Sequence, residues 1–211
     1  MQATELAQNL VNTLPRGLPG LFNPWTDSCQ VDLPGNGPRD KLARLALHLS
    51  CEPEFILCGE APGYQGCRHS GVAFTSERLL LEGAIPRIAP PRGRLTSRRL
   101  PYSEPSATIV WKALKELGIA ERTVLWNALQ LHPFRPETVE SNRTPTTSEL
   151  MLGAPAMQML VAEFPGAKVV AVGRKAELLL QSMGIATAAQ VRHPANGGAN
   201  EFAAGLSALV G

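Results

Sequence analysis

Four short apolar runs constrain this chain more than any other feature. They are Phe55-Ile56-Leu57-Cys58 ended by Gly59, residues 123–126, residues 168–172 with a Val169-Val170-Ala171-Val172 core, and residues 186–191. Helical spacing fills the intervals, over 75–83, 107–117, 147–164 and 174–183, with a last helix over 200–209 and earlier ones over 3–13 and 38–50. Continuous apolar strands alternating with helices require a parallel sheet buried on both faces, because right-handed crossovers lay the helices there. The expected fold class is therefore α/β, a three-layer α/β/α sandwich around a short central parallel sheet of about four strands.

A chain of 211 residues with 44% apolar and 18% charged side chains suits one domain over 1–211 and leaves little room for two. An N-terminal helical arm is expected over about 1–37. No apolar run approaches the roughly 20 residues of a membrane helix, so the expectation is a cytoplasmic, monomeric protein with no membrane partner, nucleoid-associated if bacterial. Cys29, Cys51, Cys58 and Cys67 form no C-x-x-C pair and read as reduced thiols. The formal charge of +2 does not by itself imply a nucleic-acid partner. Its distribution is more suggestive: an Arg/Pro-rich insertion over about 83–102 holds Arg87, Arg92, Arg94, Arg98 and Arg99, with no acidic residue from Gly83 through Ser103. It reads either as a solvated loop or as a phosphate-contacting arm.

Ligands of open α/β sheets bind outside the carboxyl ends of the strands. Here those ends carry Gly59-Glu60-Ala61-Pro62-Gly63, then Asn127, then Arg192-His193-Pro194-Ala195-Asn196-Gly197-Gly198. An acid, an amide and an imidazole thus converge on one edge without metal-ligand spacing. A Walker loop, a G-x-G-x-x-G turn and a serine nucleophile elbow are all missing, which removes the usual signatures of nucleotide-dependent and serine-hydrolase chemistry. A carboxylate and an imidazole able to stabilise opposite charges, beside an amide able to read a planar heterocycle, suit cleavage of a nucleoside's glycosidic bond.

Gly59-Glu60-Ala61-Pro62-Gly63, Phe74 within Gly71-Val72-Ala73-Phe74-Thr75-Ser76-Glu77, Asn127 and His193-Pro194 occur in the order typical of the uracil-DNA glycosylase superfamily, and the chain resembles its Glu-bearing branches over roughly residues 53–205. The resemblance implies a monofunctional DNA glycosylase that removes uracil, or another deaminated base, and leaves an abasic site. Glu60 and His193 would be catalytic. Glu60 would activate water and offset an oxocarbenium-like sugar, while His193 would donate to the departing base oxygen. Asn127 and Phe74 would bind the base with Gly59, Ala61 and Tyr64, the tyrosine standing where thymine's methyl would fit. The five insertion arginines, Asn196 and Gly197 would contact DNA.

Two departures from the family pattern carry further expectations. The cysteines that hold an iron–sulfur cluster in the nearest branch correspond here to about Leu131 and Gly153, and the early pair is absent, so no cluster, no metal and no other cofactor are expected. The loop after His193 lacks a bulky apolar wedge, which favours single-stranded or mismatched DNA over fully paired DNA. No lysine adjoins the first motif to suggest a Schiff-base lyase. Two other readings stay open: a catalytically weak nucleic-acid-binding member of the superfamily, and a nucleoside or nucleotide hydrolase.

Overall fold

The computed structural model describes residues Met1–Gly211. Its main sheet contains β2 (Phe55–Gly59), β3 (Thr123–Asn127), β5 (Lys168–Val172) and β6 (Ala189–Val191), all parallel, in the order β3-β2-β5-β6. The register sets Gly59 beside Asn127 and Cys58 beside both Trp126 and Ala171. A separate two-stranded antiparallel pair joins β1 (Leu21–Phe22) to β4 (His132–Pro133).

Both faces of the main sheet are buried, as continuous apolar strands require. Ile56, Cys58, Val124, Trp126, Val169 and Ala171 face one layer, built from α1 (Ala3–Asn12), α2 (Pro38–Leu49), α7 (Ala154–Glu163) and α8 (Arg174–Ser182). The alternate residues Phe55, Leu57, Leu125, Val170, Val172 and Val191 face the other, where α5 (Pro105–Glu116) and α9 (Ala199–Val210) pack. This is the three-layer sandwich. Leu6, Ala7, Leu10 and Val11 of α1 lie wholly within the first core, so the N-terminal arm is part of that layer. No helix is long and apolar enough to cross a membrane.

Several elements differ from expectation. The helix expected over 147–164 is split into α6 (Thr147–Met151) and α7, with Gly153 between them. Pro155, in the first turn of α7, has no N–H for the Met151 carbonyl and its ring crowds that carbonyl, which breaks the helix here; Gly153 at the joint lets the loop after β3 pack closely, since a Cβ there would lie 1.9 Å from the Ala128 carbonyl oxygen. The helix expected over 75–83 is the shorter α4 (Glu77–Leu81), and the one-turn α3 (Cys67–Ser70) precedes it. The last strand covers only half of 186–191 because only Ala189–Val191 pair with β5.

The chain runs from β2 outward to β3, then returns across β2 to β5 and continues to β6. Connections leave in opposite directions from β2 and β5, creating a crevice between their carboxyl ends at the topological switch point. The polar strand ends open there.

Candidate active site

A cavity of about 460 Å³ occupies that crevice, and Glu60, Ala61, Phe74, Asn127, His193 and Asn196 are among its walls. Each comes from a different local device. Glu60 follows β2, and its carbonyl accepts from Leu129 N–H at 2.9 Å while Gly59's accepts from Ala128 N–H at 2.8 Å, which locks the first motif to the end of β3. Asn127 ends β3 and is 5% exposed. Phe74 adopts φ 49°, a left-handed conformation costly for an aromatic residue and typical of sites where the surroundings dictate it.

Gly59 explains how Phe74 and Asn127 approach so closely. A Cβ there would lie 2.6 Å from Phe74 Cζ and 2.7 Å from Asn127 Oδ1. The glycine therefore shapes the wall rather than touching a ligand through a side chain. Phe74 also faces His193, with ring centroids 6.5 Å apart and a 40° tilt.

His193 sits in the turn after β6, where its Nδ1 accepts from Ala195 N–H at 3.1 Å. That bond assigns the neutral ring's proton to Nε2. Burial, and then the charge of Arg192, lower the imidazole's pKa and favour this neutral form near pH 7. The cavity thus contains a neutral N–H donor and a carboxylate.

The Glu60 side chain is 28% exposed and meets Lys175 Nζ at 3.4 Å. Lys175 is remote in sequence from the first motif, yet the end of β5 delivers it there. It lines the cavity together with Arg174 and Arg192. The strand-end reading named Arg192 without giving it a role and passed over Arg174 and Lys175, which follow Gly173 at the end of β5, a position the same rule selects. Helix α8 begins at the same point and adds its positive N-terminus. Glu104, also overlooked, closes another wall, where desolvation raises its carboxyl pKa despite a 2.7 Å hydrogen bond donated by Ser106.

Other sequence-singled residues lie elsewhere. Tyr64, expected at the base, is outside this cavity; it lines a neighbouring one and meets Tyr102 edge to face at 6.4 Å. Arg87 donates to the carbonyls of Glu121, His48 and Thr123, and its side chain is only 13% exposed. Thr123 begins β3, so Arg87 sits at the opposite end of the sheet from the cavity and fastens the insertion to the core. Arg94 is likewise structural, pairing with the buried Glu77 at 2.7 Å and binding the Arg98 and Arg99 carbonyls. Arg92, Arg98 and Arg99 are exposed, and Arg98 lies 5.0 Å from the Tyr102 ring centroid. None of the five lines the cavity; Gly197, at φ 80°, lies in the His193 turn beyond its wall.

Comparison with known proteins adds two findings. The family model described as "Uracil DNA glycosylase superfamily" matches residues 48–205. Among solved structures, wild-type SMUG2 of Pedobacter heparinus is similar, with a TM-score of 0.66 and 14% identity over 99% of this chain and 98% of that one. At that identity the likeness shows a shared fold. No curated protein matches the chain.

Proposed function

The chain belongs to the uracil DNA glycosylase superfamily, and from that premise we propose that it hydrolyses the N-glycosidic bond of uracil, or a related deaminated base, in single-stranded or mismatched DNA. The observation that carries this reading is the convergence of Glu60, Phe74, Asn127 and His193 from separate segments on one cavity. That cavity is polar at the strand ends and has an aromatic wall. Its volume of about 460 Å³ suits an extruded nucleotide.

In this account the base leaves the strand and stacks on Phe74. Asn127 accepts from uracil N3–H and donates to O4, whereas cytosine offers the reverse pattern and would leave both amide groups unpaired. As the glycosidic bond lengthens, negative charge gathers on the base oxygen and positive charge on the sugar. His193 Nε2–H donates to the first without first needing to acquire a proton. Glu60 offsets the second and orients the water that completes hydrolysis.

Lys175 holds the Glu60 carboxylate by ion pairing, and Arg174, Arg192 and the N-terminus of α8 offer phosphate contacts around the cavity. Lys175 is also the natural candidate for a Schiff-base step. Its side chain is 63% exposed and already ion-paired, so it lacks the desolvation that activates catalytic lysines, which favours a monofunctional enzyme. The exposed Arg92, Arg98 and Arg99, with Asn196 and Gly197, are proposed as outer DNA contacts.

The experiment is single-turnover base release from oligonucleotides carrying uracil, hypoxanthine or xanthine, single-stranded and paired. The reading expects free base and an alkali-labile abasic site from at least the uracil strand. DNA binding without base release would favour the binding-module alternative, and release from free deoxyuridine alone would favour the nucleoside hydrolase.

A further inference from the structure

The second cavity, about 410 Å³, lies on the other side of the Gly63–Tyr64 turn and takes no part in the proposed glycosylase chemistry. Cys29 and His69 line it, and Asp32 stands behind them. One ligating atom from each of these three residues lies within 4.8 Å of the other two. His69 is buried, stacked on the Tyr102 ring at 4.1 Å and 10°, and its Nδ1 has no hydrogen-bond partner, although Asp32 Oδ1 is 3.6 Å away. A thiol, an imidazole and a carboxylate in mutual reach at a cavity wall form the constellation of an activated cysteine.

We propose that Cys29, His69 and Asp32 form a nucleophilic thiol site that reacts with hydroperoxides entering the second cavity. The Cys29 thiolate attacks one peroxide oxygen. An S–O bond forms as the O–O bond breaks, sulfur is oxidised by two electrons to a sulfenic acid, and the leaving oxygen takes a proton from the His69 imidazolium and departs as water or an alcohol.

The surroundings favour the ion pair this requires. Burial raises the Cys29 pKa, but the nearby His69 imidazole and the Val31 backbone outweigh it and the net shift is downward. Burial opposes the His69 charge, and Asp32 and Cys29 outweigh that in turn, raising its pKa. The charged and titratable groups around the pair are Asp32, Lys41, Arg68, Tyr102, His132 and, on the Tyr102 hydroxyl at the cavity wall, Glu140; Lys41 and Arg68 are the cations. The same cations disfavour a metal ion among these donors. Lys41 Nζ is 2.5 Å from Asp32 Oδ2, and Asn36 donates to Oδ1 at 2.9 Å, so both carboxylate oxygens are already engaged. The other three thiols are shifted the opposite way: desolvation raises Cys51, Cys58 and Cys67.

The test is native labelling of the full chain with iodoacetamide across pH 5–9, each cysteine followed by mass mapping, and a parallel exposure to hydrogen peroxide with a sulfenic-acid trap. Cys29 should label about tenfold faster than Cys51 at pH 7, with a midpoint below the ordinary thiol value of about 8.5, and should alone acquire the trap. His69→Gln should raise the midpoint toward that ordinary value. The wild-type profile decides the matter even if this variant folds poorly. Cys29→Ser should abolish trapping and leave base excision unchanged, which separates this site from the glycosylase reading. Labelling of Cys29 no faster than Cys51, an ordinary midpoint, or alkylation without a sulfenic adduct would overturn the proposal.

Discussion

Replacing Gly59 by alanine probes how the cavity is built. The new Cβ would stand 2.6 Å from Phe74 Cζ and 2.7 Å from Asn127 Oδ1, whereas carbon contacts settle near 3.5–4.0 Å. The two proposed base-binding side chains must therefore retreat by about 1 Å. A misplacement of that size in a reacting geometry costs on the order of 10² in rate, or about 2.7 kcal/mol of transition-state stabilisation. The fold should lose about 1–3 kcal/mol from overpacking and survive. The assay is single-turnover uracil release at saturating enzyme, with thermal unfolding run on the same preparation. A folded Gly59→Ala protein excising at the wild-type rate would refute the assignment of this wall to the base.

Four further outcomes are expected. Asn127→Asp should change the ranking of excised bases, because a carboxylate only accepts where the amide both donates and accepts, and an unchanged ranking in a base panel would remove Asn127 from recognition. Arg174→Ala with Arg192→Ala should reduce the slope of log affinity against log salt by roughly 0.7–0.9 per lost phosphate contact, whereas Arg87→Ala should lower stability and leave that slope alone. Excision should persist in a chelator, and borohydride should trap no covalent complex on abasic DNA; restoration by a divalent ion, or a trapped adduct on Lys175, would contradict the proposed chemistry. Stability should fall in acid: burial first, then the charges of Arg87 and Arg68 respectively, push His48 and His132 down to about 3. The unfolded chain binds those protons near pH 6.5, so stability drops below that pH by up to about 1.4 kcal/mol per pH unit for each histidine, with His69 shifted the other way. Urea midpoints at pH 7.5 and pH 5 measure it, and equal midpoints would contradict it.

The sandwich was legible because its strands are short apolar runs closed by glycine or polar residues, as in Phe55–Gly59, and a parallel sheet is the economical way to bury both faces of such strands. The break before α7 was legible as well, in Pro155, but the apolar spacing that continues through it was given more weight. The two-residue strands β1 and β4 are too short to carry any period. At the site, the strand-end rule located Glu60, Asn127 and His193, and the same rule applied to Gly173-Arg174-Lys175 would have found the cations. Arginine density misled at Arg87 and Arg94, because composition does not distinguish a guanidinium aimed at phosphate from one capping backbone carbonyls. Cys29 and His69 meet only through the tertiary fold, and no local pattern announces them.

In the proposed mechanism Glu60 and His193 act on opposite charges of one glycosidic cleavage within the crevice. The most direct test compares wild type, Glu60→Gln and His193→Ala in single-turnover uracil release from one single-stranded oligonucleotide, with binding measured alongside. The wild type should release uracil. Each variant should lose about 10² or more in rate with DNA affinity nearly unchanged, because both interactions strengthen mainly in the transition state. Excision near the wild-type rate in either variant would contradict it, as would a loss explained entirely by weaker binding.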